Sequence, residues 1–325
     1  IIFMGIFLFL LIPFFIMNLI DTSSILYGPL NYLLKAVGVI LAIPIFLYLS
    51  DFILESQRKE IIVKEDISPA KGHLMLYKIS KGNFKYQILF GTLLLFLVFI
   101  PLDFFTYFFI PDMLEFSANA LIMNSTNAYL QQEYLIFLGS AIVIHISVAI
   151  YEETVVRGFL TIRGSKYFQK ISAVFIASLY FGLGHFAYLF NPISTQYPLV
   201  FPFIWFVQTF FVGVILSLIV LNKKWLFPVI FAHSINNIIS AHAIWNFLQG
   251  NQFEVIAIYL YIPLLIVGII LFVWQFSRIK ESILIGLKEL RSYAMRGEFG
   301  SDKAVIVLVD LIIGLLIFLV GVIII

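Results

Sequence analysis

Stretches of about twenty mostly apolar residues recur along this chain, and no other feature narrows its fold as much. In hydrocarbon every backbone N–H and C=O must find its partner within the protein, so a segment of that length and composition crosses as an α-helix. Nine such stretches run over residues 1–20, 30–54, 87–111, 133–160, 171–189, 199–221, 226–248, 254–276 and 304–325. The fourth is long enough to tilt or to project beyond the bilayer. Composition agrees: 62% of residues are hydrophobic and 12% charged, where a soluble domain is about half apolar and a quarter charged. The expectation is an all-α, polytopic transmembrane helical bundle of about nine spans. Ile1–Ile20 reads as a span rather than a cleaved leader. The chain has no cysteine, which excludes disulfides, thiolate nucleophiles and thiolate metal sites. A net charge of +2 lends no support to a nucleic-acid partner.

The basic residues predict the topology. Nineteen of the 20 Lys and Arg fall within 55–86, 157–170, 223–224 and 277–303. The stretches 21–29, 112–132, 190–198 and 249–253 hold none. Cytoplasmic loops carry the excess of Lys and Arg, so the alternation places the N-terminus inside and the C-terminus outside. Lys35, the twentieth, sits near the outer end of span two, where it can snorkel. Three parts follow: 1–129, N-terminal spans with the basic loop 55–86; 130–248, a polar-bearing core; and 249–325, C-terminal spans with the basic loop 277–303. Within that last loop Ile279, Ile283, Leu287, Leu290 and Ala294 recur at helical spacing among cations. This suggests either a helix on the inner leaflet or an amphipathic linker. Asn124-Ser125-Thr126 is a glycosylation sequon, read as a chance occurrence.

Ionisable groups inside spans cost about 2.5–3.5 kcal/mol each on insertion scales and are a functional pointer by default. The stretch Tyr151–Leu160 places Glu152, Glu153 and Arg157 at the end of span four. Glu153 and Arg157 lie one turn apart and can pair, whereas Glu152 lies about 100° round the helix and stays free of that partner. The competing reading is a buried ion cluster that holds helices together. Span five carries Phe181-Gly182-Leu183-Gly184-His185; its glycines permit close approach of a neighbour or substrate, and its lone His also suits a core position. Span seven carries His233, Asn236, Asn237 and Ser240 on one face, as hydrogen-bonding glue or as an oxyanion site. His145 shares the face of Glu152 and is cavity-lining or structural. His242 reads as interfacial, Asp103 as near the outer end of span three, and Asp310 as a helix-packing residue. At the helical rise, His233 and Glu152 sit roughly 13 and 16 Å from the basic ends of their spans, and His185 roughly 22 Å.

A carboxylate, two imidazoles and a carboxamide on three spans suit hydrolysis of an amide by an activated water. The motifs E-E-x-x-x-R (Glu152, Glu153, Arg157), F-x-x-x-H (Phe181, His185) and H-x-x-x-N (His233, Asn237) stand in order. In this the chain resembles the CAAX prenyl protease and bacteriocin-processing family of intramembrane endopeptidases, over roughly residues 130–248. The resemblance implies a glutamate-dependent protease; with no H-E-x-x-H pair on one helix and the candidate ligands on three spans, the expectation is that it has no metal cofactor. By it, Glu152 and His185 activate the water, His233 and Asn237 form the oxyanion hole, and Glu153, Arg157 and Phe181 support the site. It also implies membrane lipids and a peptide or prenylated protein substrate as partners, and a site open to the cytoplasmic side. Two His and a Glu also suit zinc, and buried carboxylates with histidines suit a proton-coupled transporter. A non-catalytic immunity protein that keeps the fold is a further alternative.

Overall fold

The computed structural model describes residues 11–55, 67–295 and 300–324, and among these the chain is helical without strands. Tyr27–Glu55 forms α1, and Pro69–Leu74 a short α2 capped by Ser68 and continued by a 3-10 turn, Met75–Tyr77. Phe84–Phe109 is α3, with a π-helical turn at Leu95–Phe99, and Asp112–Ile122 is α4. Tyr134–Gly164 is α5, the longest helix, and Lys170–Phe186 is α6. Val200–Lys223 is α7 and Phe227–Leu248 is α8. Phe253–Trp274 forms α9, Phe276–Ala294 forms α10 and Gly300–Ile324 forms α11.

Seven of the described helices are long and apolar enough to cross a membrane: α1, α3, α5, α6, α7, α9 and α11. The expected span over 1–20 falls half outside the described residues, of which 11–17 are helical. The expected span over 226–248 is present as α8 but is not apolar enough to count by composition. Its position explains this. No residue of α8 is exposed, and it packs on α3, α5 and α4. A helix covered by protein rather than lipid need not be apolar all round, provided its polar groups find partners.

The main core runs from Leu76 to Tyr261 and draws on α3, α4, α5, α7, α8 and α9. Close packing is visible where α3 meets α8: a Cβ on Gly91 would stand 2.9 Å from the Pro228 carbonyl oxygen. Around this core α9 and α11 present rows of exposed Ile, Leu and Val, as lipid-facing helices do. Asp310 is nearly buried on α11 and accepts a 2.6 Å hydrogen bond from the Tyr293 hydroxyl of α10. This is a helix-packing contact, and it fixes the basic amphipathic helix against the last one. On that helix Ile283, Leu284 and Leu287 remain exposed. Asn124 of the sequon caps the 3-10 turn Ser125–Gln131, its Oδ1 accepting from the Thr126 amide and hydroxyl.

Candidate active site

The acidic motif stands where α5 changes its winding. Tyr134–Glu153 is α-helical and Thr154–Thr161 is π-helical. The wider turn is closed from within, as the Thr161 hydroxyl donates to the Val156 carbonyl at 2.9 Å. It is also closed from α7, with Thr161 Oγ1 and Ser217 Oγ 3.1 Å apart. π-Helical turns arise mostly at functional sites. Here the turn carries Arg157, which is wholly buried, on the segment that follows the two glutamates.

Glu153 and Glu152 have separate environments. Glu153 is fully buried and its Oε1 accepts from Arg157 Nη1 at 2.9 Å, the pair that one-turn spacing predicts. The same oxygen accepts from His233 Nδ1 at 2.8 Å, across from α8. Glu152 keeps 25% of its side chain exposed, and its Oε2 lies 3.6 Å from His233 Nε2. One imidazole thus has a carboxylate at each nitrogen. The carboxylate at Nδ1 can only accept, so it fixes a proton there and turns Nε2 toward Glu152.

Phe181 and His185 arrive from α6. His185 Nδ1 is 3.1 Å from the Phe181 carbonyl, a bond that leaves its Nε2 as the acceptor. Phe181 is the aromatic joint of the site. Its ring packs edge-on to His185 at 4.9 Å and to His233 at 6.1 Å between centroids, and the Arg157 guanidinium lies over its face at 4.3 Å. Of the two motif glycines, Gly182 meets Phe206 of α7, where a Cβ would be 3.1 Å from the ring, while Gly184 faces open space. On the other side Phe99 of α3 stacks on His233 at 5.9 Å.

Glu152, His185, His233 and Asn237 line one cavity of about 280 Å³. The depth difference reckoned from helical rise therefore does not separate them. Arg157 and Glu153 form the buried layer behind it. The cavity also holds polar residues outside the three motifs. Asp103, six residues from the end of α3, lines it and accepts from the Ser240 hydroxyl of α8. Asn236 lines it beside Asn237, almost buried, with its Oδ1 unpartnered. An acid within a span was the available signal for Asp103. For Asn236 the signal was its place in the polar stripe at i+3 from His233. His145 also lines the cavity, with its Nε2 2.8 Å from the Tyr129 hydroxyl. His242 instead sits among the rings of Tyr134, Phe137 and Trp245.

Among the described residues no three His, Asp or Glu side chains gather as a metal site would require. His233 Nδ1 is already engaged by Glu153. The arrangement is that of a partly exposed carboxylate and two imidazoles over a buried ion pair, a set that can take, hold and return a proton.

Comparison with known proteins agrees with the resemblance drawn from the three motifs. No curated protein and no solved structure gives a significant match. A family model does match, described as Rce1-like, type II CAAX prenyl endopeptidase Rce1-like, over residues 134–239. That segment begins at the first residue of α5, ends within α8, and contains every motif residue named above. Over that segment, about a third of its length, the chain is similar to the Rce1-like type II CAAX prenyl endopeptidases.

Proposed function

We propose that the protein is a metal-free, glutamate-dependent intramembrane endopeptidase that hydrolyses a peptide bond in or near the C-terminal segment of a membrane-associated, prenylated protein. The observation that carries this reading is the unequal treatment of the two adjacent glutamates. Glu153 is consumed by Arg157 and His233, while Glu152 is left in the cavity beside an imidazole nitrogen. A structural ion cluster needs only the first of these.

In this reading a water held between Glu152 and His185 Nε2 attacks the scissile carbonyl carbon, and its proton passes to the Glu152 carboxylate. Negative charge develops on the carbonyl oxygen. His233, which in its imidazolium form donates from Nε2, and the Asn237 carboxamide stabilise it. Collapse of the tetrahedral intermediate breaks the C–N bond. The proton held by Glu152 goes to the leaving amine, giving a new carboxylate and a free peptide with no net proton gained. Glu153 and Arg157 hold His233 in register. The crowding of Lys78, Arg163, Lys166 and Lys224 around a single cavity supports assigning that end of the bundle to the cytoplasmic side, with the N-terminus inside and the C-terminus outside.

The test is cleavage of a farnesylated CAAX peptide by purified protein in detergent, beside Glu152→Ala and with a chelator present. Cleavage that survives the chelator and vanishes in the variant is the expected result. Loss with the chelator and recovery with zinc would replace the water-activating carboxylate by a metal centre. No cleavage by the unaltered protein, with proton flux in vesicles that depends on Glu152, would overturn the protease reading.

A further inference from the structure

The π-helical turn of α5 has a cavity on its other side as well. This second cavity measures about 580 Å³ and has no catalytic-motif residue in its wall. Its rim is basic: Lys78 follows the α2 turn, Arg163 and Lys166 end α5, and Lys224 occupies the α7–α8 turn. Among the described residues that line it there is no carboxylate. Arg163 donates from Nη2 to the Tyr167 hydroxyl at 2.8 Å. Lys78, Lys166 and Lys224 are exposed and make no ion pair among the described residues.

Beneath the rim lies His73. It is only 5% exposed, it lines the cavity, and its Nε2 is a buried polar atom without a hydrogen-bond partner. Buried polar nitrogens are rarely left so, and each such case calls for an explanation. Three lysines around one opening also repel one another unless an anion is shared between them. The two facts have a common answer. From this basic rim and the unpartnered Nε2 of His73 we infer that the cavity binds a phosphate-bearing anion, the headgroup of an acidic phospholipid or a free phosphate. Its place at the ends of α5 and α7, with Leu47 of α1 in its wall, puts it at the level where membrane headgroups lie.

The site has a mechanical connection to the catalytic helix. Gly158 of the π turn forms part of its wall, and a Cβ there would stand 3.0 Å from His73 Cε1. One turn on from His73, the Tyr77 hydroxyl is hydrogen-bonded to Thr154, the residue after Glu153. An occupant that holds α2 against α5 therefore bears on the segment that aims both glutamates.

The experiment needs no assay of proteolysis. The full chain is reconstituted in nanodiscs of phosphatidylcholine with or without phosphatidylglycerol, and retained lipid is counted by native mass spectrometry after detergent extraction. Thermal stability is followed in parallel against added phosphatidylglycerol and against inorganic phosphate. Phosphatidylglycerol should be retained over phosphatidylcholine, and K166Q/K224Q should lower that retention about tenfold. His73→Phe should lower it with the rim intact. The matched change K280Q/K288Q on α10 should leave it unaltered. Stabilisation by inorganic phosphate that K166Q/K224Q removes, without lipid retention, would identify the free anion as the occupant. No preference between the lipids together with no effect of phosphate would overturn the site. Equal loss in the α10 variant would do the same, reducing the effect to surface charge.

Discussion

The cavities on either side of the π-helical turn of α5 both hold charge, but they dispose of it in opposite ways. In the cavity that Glu152 and His233 line, the charges answer one another: Arg157 and His233 converge on one oxygen of Glu153, and Glu152 faces the remaining nitrogen. In the basic cavity Lys78, Lys166 and Lys224 stand together, and no carboxylate is among the described residues that line it. The difference follows from burial. A wholly buried ion must be paired, since its desolvation costs several kcal/mol, and the fold itself supplies the partners. Cations at the ends of helices keep their hydration and can wait for a partner from outside. The first cavity is thus complete as a chemical unit, and the second is complete only with a ligand.

Perturbing each cavity in turn sharpens that contrast. The largest effect is expected from Glu152→Gln, which should reduce peptide cleavage by about 10²–10⁴-fold, the usual worth of a general base, and leave the melting temperature close to that of the parent. A large drop in melting temperature would instead make Glu152 a structural ion. Glu153→Gln should do the converse. It strands Arg157 in the interior and should destabilise the fold by about 3–5 kcal/mol, measured as thermal or denaturant unfolding in detergent. An unchanged midpoint would remove the distinction between the two glutamates.

Acid should act on the basic side through His73. Burial pushes its imidazole down to about 4, below its ordinary value of 6.5. The folded protein therefore binds this proton less readily than the unfolded chain. The contribution is fully present above pH 6.5 and is lost as pH falls toward 4, a change of up to about 3 kcal/mol. Melting curves across that range should show the slope, and His73→Phe should flatten it. The smallest effect is expected from Tyr77→Phe, which deletes the hydrogen bond to Thr154 and should cost about 1 kcal/mol. Its more telling readout is whether phosphatidylglycerol still stabilises the segment that carries the two glutamates, followed by hydrogen exchange of residues 150–161. Undiminished protection in the variant would mean that the two cavities are independent.

Much of the site could be read before the fold was known. Glu153 and Arg157 pair because residues one turn apart share a helix face, and that local geometry survives the π turn. The polar stripe of His233, Asn236, Asn237 and Ser240 faces inward because lipid excludes it. What could not be read was what meets that stripe. Asp103 and Phe99 come from α3, outside the matched segment, and no spacing in one helix reveals that another will lay a carboxylate on Ser240 or a ring on His233. The status of α8 was hidden for a related reason. Its hydropathy falls short of the other spans because the surrounding helices, not lipid, are its solvent.

By itself the sequence determined the helices, their order, the family motifs and which face of each motif helix is polar, since all of these follow from composition and a period of 3.6 residues. Helical spacing already left Glu152 free of Arg157; only the tertiary structure decided what each carboxylate meets across the bundle. Glu152 and Glu153 are identical in chemistry and adjacent in the chain. They part because Arg157 and His233 Nδ1 both converge on the buried Glu153, while Glu152 stays partly exposed in the cavity wall, 3.6 Å from His233 Nε2. It also decided that the basic ends of α5 and α7 and the turn beyond α2 share one cavity over His73. Contacts between segments far apart in sequence depend on packing, and packing is a property of the whole assembly of helices.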